Sequence, residues 1–162
     1  MQVRRTLSRL PAGTIVLAAL CAIGPAHAQQ IVLSNTRSLD FGRFVANTGG
    51  TVAISPAGLR SRTGGVVLLN SPTAGQAGFN VGKSSNGSNN KAVIISLPAA
   101  GTTRLSSGAN SMAVGSFVNT PSSILSVPNG GMTLAVGATL TVAPNQPPGN
   151  YSGTFSLTVN FQ

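Results

Sequence analysis

The sequence predicts an all-β domain of the sandwich or barrel kind, and three observations predict it. Helix signals are nearly absent: the only acid is Asp40, there is no Glu, and 20 of the 162 residues are Gly, a poor residue for a helix interior. Short β-branched runs alternate with clusters of Gly, Pro, Ser and Asn at fairly even spacing, the pattern of many short strands joined by turns. The chain ends on YSGTFSLTVNFQ, a strictly alternating run. Tyr151, Phe155, Leu157, Val159 and Phe161 share one parity with Gly153. Ser152, Thr154, Ser156, Thr158 and Asn160 hold the other, so one face of this strand is apolar and the other polar.

The first segment stands outside the fold. Arg4, Arg5 and Arg9 give a positive start, and Thr14 to Ile23 (TIVLAALCAI) is an apolar run too short for a bilayer span. Gly24 and Pro25 break it, and Ala26-His27-Ala28 is a small-x-small cleavage site. Residues 1–28 therefore read as a secretory signal peptide, cut between Ala28 and Gln29. Lipidation at Cys21 is disfavoured by Leu20, which stands where a small residue is expected. Removing 28 of 162 residues leaves 134, a single domain over 29–162 with room for one hydrophobic core. No later apolar run approaches ~18 residues, so no helical membrane span is expected in the mature chain. Export places the protein in the periplasm, at the cell surface or outside the cell.

Along the mature chain, Ile31 to Phe41 reads as one long strand with a polar middle, or as two short ones. Arg43-Phe44-Val45 leads into a turn at Asn47 to Gly50. Thr51 to Ser55 is a strand with Val52 and Ile54 inward, and residues 56–64 form a loop carrying Arg60 and Arg62. Gly65 to Asn70 (GVVLLN) is apolar on both faces and fits a strand covered twice. Gln76 to Val81 points Phe79 and Val81 inward. After a polar loop over 82–90, where Asn86-Gly87 tolerates positive φ, Ala92 to Leu97 puts Val93, Ile95 and Leu97 on one face. These two strands are expected to pair across that loop.

Met112 to Val118 changes parity between Val114 and Phe117, which calls for a bulge near Gly115. Met132 to Val142 keeps even parity through Leu134, Val136, Leu140 and Val142, after a turn over Pro128 to Gly131. Pro144 to Gly149 (PNQPPG) turns the chain into the last strand. The expectation is about eight to nine strands.

Catalytic readings fail by subtraction. Cys21 and His27, the single Cys and single His, both lie in the leader. The mature chain thus has no thiol or imidazole for nucleophilic catalysis, for zinc or for a disulfide. Asp40 has no second acid for paired-carboxylate hydrolysis, and one carboxylate makes a weak calcium cage. A Ser-Lys pair would need Lys83 or Lys91, both beside a polar loop rather than in a buried setting. The pairs Gly49-Gly50, Gly64-Gly65 and Gly130-Gly131 precede no helix and read as turns, not phosphate loops. Asn86-Gly87-Ser88 and Asn150-Tyr151-Ser152 match the glycosylation sequon by chance in a chain with a bacterial-style leader. No enzyme activity, cofactor or metal is expected.

Charge is lopsided. Of ten Lys and Arg, three lie in the leader; the seven that remain face Asp40 alone, for a net +6. That balance favours anionic surfaces. The cations are scattered rather than gathered in the basic footprint of nucleic-acid binding, so nucleic acid is not an expected partner.

Five stretches come in a telling order: LDFG at Leu39–Gly42, GGTVAISPAGLRSRTGGVVLL at Gly49–Leu69, VIISLP at Val93–Pro98, MTLAVGATLTV at Met132–Val142 and GNYSGTFSLTVNF at Gly149–Phe161. Together they resemble a family of exported bacterial proteins described as a domain of unknown function. The layout is similar to spore coat protein U-like and other fimbrial subunits. The resemblance covers nearly all of the mature chain and implies an immunoglobulin-like, pilin-like β-sandwich at the cell surface, with no activity. In chaperone–usher subunits the fold is completed by a neighbour's strand, and the last strand ends on a penultimate aromatic that an assembly chaperone can hold. Phe161 is penultimate here, with Phe155, Leu157 and Val159 alternating before it. The chain departs from those subunits in lacking a disulfide and in having only Ile31 and Leu33 ahead of the polar stretch Ser34 to Ser38.

Three functional readings follow. In the first, the protein is a structural or adhesive surface subunit, and Tyr151, Phe155, Leu157, Val159 and Phe161 form an assembly strand for like subunits or a chaperone. In the second, a self-complete sandwich binds surface glycan or another anionic ligand through loops 56–64 and 82–90, with Arg60, Arg62 and Lys83 as contacts. Sugar sites stack on exposed aromatics, and the chain has no Trp and one Tyr. In the third, an outer-membrane barrel would need aromatic girdles at both interfaces, which six Phe and one Tyr do not supply. For the last strand itself, alternation also suits any outer strand that closes its own sheet.

Overall fold

The computed structural model describes residues 30–84 and 91–162. The expected leader, its expected cleavage site at Ala26, Ala28 and Gln29, and residues 85–90 of the polar loop lie outside the described residues. Those described form an all-β sandwich of nine strands with no helix. They are β1 (Ile31–Arg37), β2 (Phe44–Ile54), β3 (Arg60–Leu68), β4 (Ala77–Lys83), β5 (Val93–Ser96), β6 (Thr103–Ser107), β7 (Asn110–Thr120), β8 (Met132–Val142) and β9 (Thr158–Phe161). Seven of them make one antiparallel sheet and β5 and β9 a second.

The centre of the large sheet is β8, whose parity the sequence announces. Leu134, Val136, Leu140 and Val142 are almost fully buried, each such side chain contributing about 1.5–3 kcal/mol of burial. One edge of β8 is shared by two strands: β4 pairs with Met132–Val136 and β2 with Ala138–Val142. The other edge is lined by β7. Leu140 thus lies between Val52 and Val114, and Val136 between Ala77 and Asn119. β1 extends the sheet beyond β4, β3 beyond β2, and β6 beyond β7.

Two apolar clusters fill the interior. One joins Val52, Ile54, Val66, Val114 and Leu140. The other joins Phe79, Val81, Val93, Ile124, Leu134 and Val136. Bends in the strands wrap the sheet over both. In β7 the register shifts between Gly115 and Val118, where the parity change asks for a bulge, and Ser116 rather than Gly115 takes the positive φ.

The sharpest bend corrects the sequence reading of the first Gly pairs. Phe44 to Ile54 is one strand, not a strand, a turn and a second strand, and its register against β3 slips between Ala46 and Gly50. Gly64 has φ +63 and a Cβ there would press on the Gly49 carbonyl oxygen, while a Cβ on Gly65 would strike the Thr48 hydroxyl. Close approach of two backbones therefore selects glycine at this corner.

Other corrections follow from the same hairpin. Residues 56–64 are not one loop: the turn closes at Leu59, whose N–H bonds the Ser55 hydroxyl, and β3 starts at Arg60. GVVLLN is not covered twice either: Val66 is buried, while Val67 on the opposite face is 52 % exposed. β4 and β5 do not pair with each other; β4 lies between β1 and β8, and β5 pairs with β9. Ile31–Phe41 resolves into β1 and an irregular stretch tied to Gly75 through Asp40. The short strand β6 was not anticipated.

Candidate functional site

The terminal run is only partly paired. Tyr151 fixes its start: the phenol donates to the Pro147 carbonyl at 2.7 Å and accepts from Gln146 Nε2 at 2.9 Å. This bond back to an upstream carbonyl pins the PNQPPG turn, much as a tyrosine corner does in sandwich domains. Ser152 then exchanges two backbone bonds with Ser106. At the far end Thr158–Phe161 pairs with Val93–Ser96. Between them, Thr154–Leu157 makes no backbone hydrogen bond among the described residues.

Side chains tell the same story. Phe155, Leu157, Val159 and Phe161 point at the second cluster, as their parity predicts, yet each is only half-buried. Ile31 and Leu33 of β1 meet that cluster from the other flank and are also half-buried. β1 approaches β9 but forms no ladder with it. An open seam thus runs between the first and last strands. At its wide end is a cavity of about 310 Å³. Leu39, Phe41, Phe79, Leu105, Val114, Thr154 and Phe155 line it. Phe155 is held edge-on to Phe79, with centroids 6.1 Å apart, and tilted against Phe117 at 5.1 Å. Asn35 and Ser38 make a polar rim, and Asn35 Nδ2 spans the β1 bulge to the Arg37 carbonyl at 3.1 Å.

An apolar trough beside a backbone run with no hydrogen-bond partner among the described residues combines the two parts that strand addition uses, main-chain groups and side-chain pockets. The sequence pattern marks the terminal row of this site. It misses the lining from β6, although Thr103 and Leu105 alternate ahead of the Gly108 turn.

The predicted cationic contacts do not converge. Arg60 and Arg62 stand on β3, at the opposite end of the sheet order from β1 and β4, where Lys83 lies. Arg60 is spent on the fold. Its Nη1 donates to the Leu69 carbonyl at 2.9 Å and its Nη2 to the Arg43 carbonyl at 2.6 Å. Burial lowers the pKa of this guanidinium, and the Asp40 carboxylate pulls it the other way. Asp40 is engaged too, accepting from the Gly42 N–H and the Thr73 hydroxyl, both at 2.7 Å. Arg62 is exposed. Lys83 is half-buried beside a shallow hollow of about 220 Å³ with Asn80 and the Asn129–Gly131 turn.

A family model described as a domain of unknown function (DUF4402) matches residues 31–161, which takes in every strand from β1 to β9. No curated protein and no solved structure gives a match. Since the family model spans the whole sandwich, the chain belongs to the DUF4402 family.

Proposed function

We propose that the protein is a non-catalytic, exported structural subunit of a fimbria-like surface assembly, and that its open seam receives a strand from a like subunit. An assembly chaperone would hold the same edge beforehand. One observation carries the reading: the inward row Phe155, Leu157, Val159 and Phe161 is half-buried beside a Thr154–Leu157 backbone that makes no hydrogen bond among the described residues. A strand that merely closed its own sheet would bury its apolar row, as β8 does. The resemblance to spore coat protein U-like and fimbrial subunits points the same way. Ile31 and Leu33 are paired with Lys83 and Val81 of their own sheet, so β1 serves as a wall of the seam rather than as the donated strand.

Unheated and boiled cell-surface extracts, run side by side on a denaturing gel and probed with an antibody to the chain, test this. A ladder that collapses on boiling is the expected result. A single monomer band in both lanes would sink the proposal and leave a self-complete sandwich that binds its ligand through exposed residues such as Arg62.

A further inference from the structure

The turn into the central strand carries a reactive pair that the seam does not use. Pro128 to Gly131 leads into β8, and one backbone bond closes it, from the Gly131 N–H to the Pro128 carbonyl at 2.9 Å. At its tip Asn129 and Gly130 are both exposed. The Asn129 carboxamide makes no hydrogen bond among the described residues, and neither does the Gly130 N–H. Other asparagines are engaged. Asn35 Nδ2 donates to the Arg37 carbonyl at 3.1 Å, and Asn119 Nδ2 to the Pro121 carbonyl at 2.8 Å. A Cβ on Gly130 would meet nothing within 4 Å, so nothing crowds the backbone beside the Asn129 side chain. Among the described asparagines, Asn129 alone is followed by glycine.

We propose that Asn129 is a self-modification site, at which the Gly130 amide converts the side-chain carboxamide into a carboxylate by way of a cyclic imide. Base takes the Gly130 N–H proton, and the nitrogen attacks Asn129 Cγ. A C–N bond forms, the Cγ–Nδ2 bond breaks, and ammonia leaves with a proton from solvent. Glycine favours this step because no side chain shields its nitrogen and its backbone turns freely. Water then opens the imide at one of its two carbonyls. Opening at Cγ gives aspartate on an unaltered backbone. Opening at the main-chain carbonyl gives isoaspartate, whose backbone runs through Cβ and is one atom longer. Overall, water enters and ammonia leaves, with no oxidant or cofactor. The new acid lies on a hollow that Lys83 and Asn80 also line. Outside the leader the seven cations then face two acids rather than one, a net +5 in place of +6. The isoaspartate form also lengthens the turn just ahead of Met132, which pairs with Val81 at the start of β8.

The test uses the full chain expressed with its own leader. The purified protein is aged in mildly acidic and mildly alkaline buffer, and its fragments are sequenced by mass spectrometry. The expected result is the mass gain of amide-to-acid conversion placed on Asn129, as two products of equal mass that separate by chromatography. It should build up faster in the alkaline buffer, where more of the attacking amide loses its proton. Asn35 and Asn119, whose side chains are bonded, should stay unconverted in the same sample. Gly130→Ala keeps the fold, since its Cβ has open space, and is expected to lose most of the conversion because a side chain now shields the nitrogen. Asn129→Gln, which must close a larger ring, should lose it as well. Asn129 left intact in aged wild-type protein would overturn the proposal, as would conversion at the same rate in Gly130→Ala.

Discussion

Arg60 Nη1 lies 2.9 Å from the carbonyl oxygen of Leu69, nine residues further along the chain and just past the end of the same strand. A straight strand would hold the two about 30 Å apart. The bond exists because β3 doubles over at Gly64, and it clasps the two halves of the hairpin around the first apolar cluster. Arg60 is thus a tie within the hairpin. Arg60→Ala frees the Leu69 and Arg43 carbonyls and is expected to cost about 1–3 kcal/mol, read as a lower urea midpoint. Arg60→Lys should recover little, since one ammonium lacks the fork that reaches both carbonyls.

The corner itself is equally exacting. Gly64→Ala must hold a φ of +63 and push aside the Gly49 carbonyl. We expect a loss of about 1–3 kcal/mol in a chemical melt, against under about 0.5 kcal/mol for Gly130→Ala, whose Cβ would meet only open space. Equal losses at both positions would contradict the close approach at the corner.

Leu140 lies between Val52 and Val114 at the centre of the sheet and is 1 % exposed. Leu140→Ala should cost about 2–5 kcal/mol. Leu157→Ala, in the half-buried terminal row, should cost clearly less in the isolated subunit while reducing assembly. Comparing melts with the heat-sensitive ladder separates the two effects.

Amide hydrogen exchange should divide the terminal run. Thr158–Phe161, paired with β5, is expected to be protected, and Thr154–Leu157 to exchange quickly in the isolated subunit. Addition of a strand at the seam should protect Thr154–Leu157. Slow exchange there in a verified monomer would mean that the edge is already covered.

Arg62 lies on the β3 edge, and its side chain makes no hydrogen bond among the described residues. Arg62→Val should leave stability within about 0.5 kcal/mol and raise aggregation on concentration, seen by light scattering. An unchanged scattering profile would mean that this charge does not keep the edge from pairing.

Much of this fold is legible in the sequence because parity is a local signal. The even row of β8 and the parity change in β7 depend on neighbours two residues apart, and both appear where alternation puts them. The terminal row is legible for the same reason. What alternation does not carry is partnership. Gly65–Leu69 looks like a doubly covered strand because five apolar residues can mark either a buried centre or an exposed edge, and only the strand order tells them apart. Gly49-Gly50 and Gly64-Gly65 look like two turns because each pair is met singly along the chain; they face each other at one corner. Arg60 looks like a loop cation until the bend brings Leu69 back to it. The open seam lies at the limit of such reading: its lining row is written in the last residues, while the gap beside them follows from where β1 and β6 end up.

β8 begins only at Met132, yet it is the strand that β2, β4 and β7 all require. A chain made from its N-terminus must therefore present its early strands before the strand that joins them exists. Their hairpins can form, but the shared core cannot close until the last fifth of the chain arrives. Non-local pairing of this kind folds slowly and leaves apolar edges open in the interval. Timing, as much as sequence, thus sets the risk this protein runs: the strand that joins the others is supplied late, and the edges it covers wait for it.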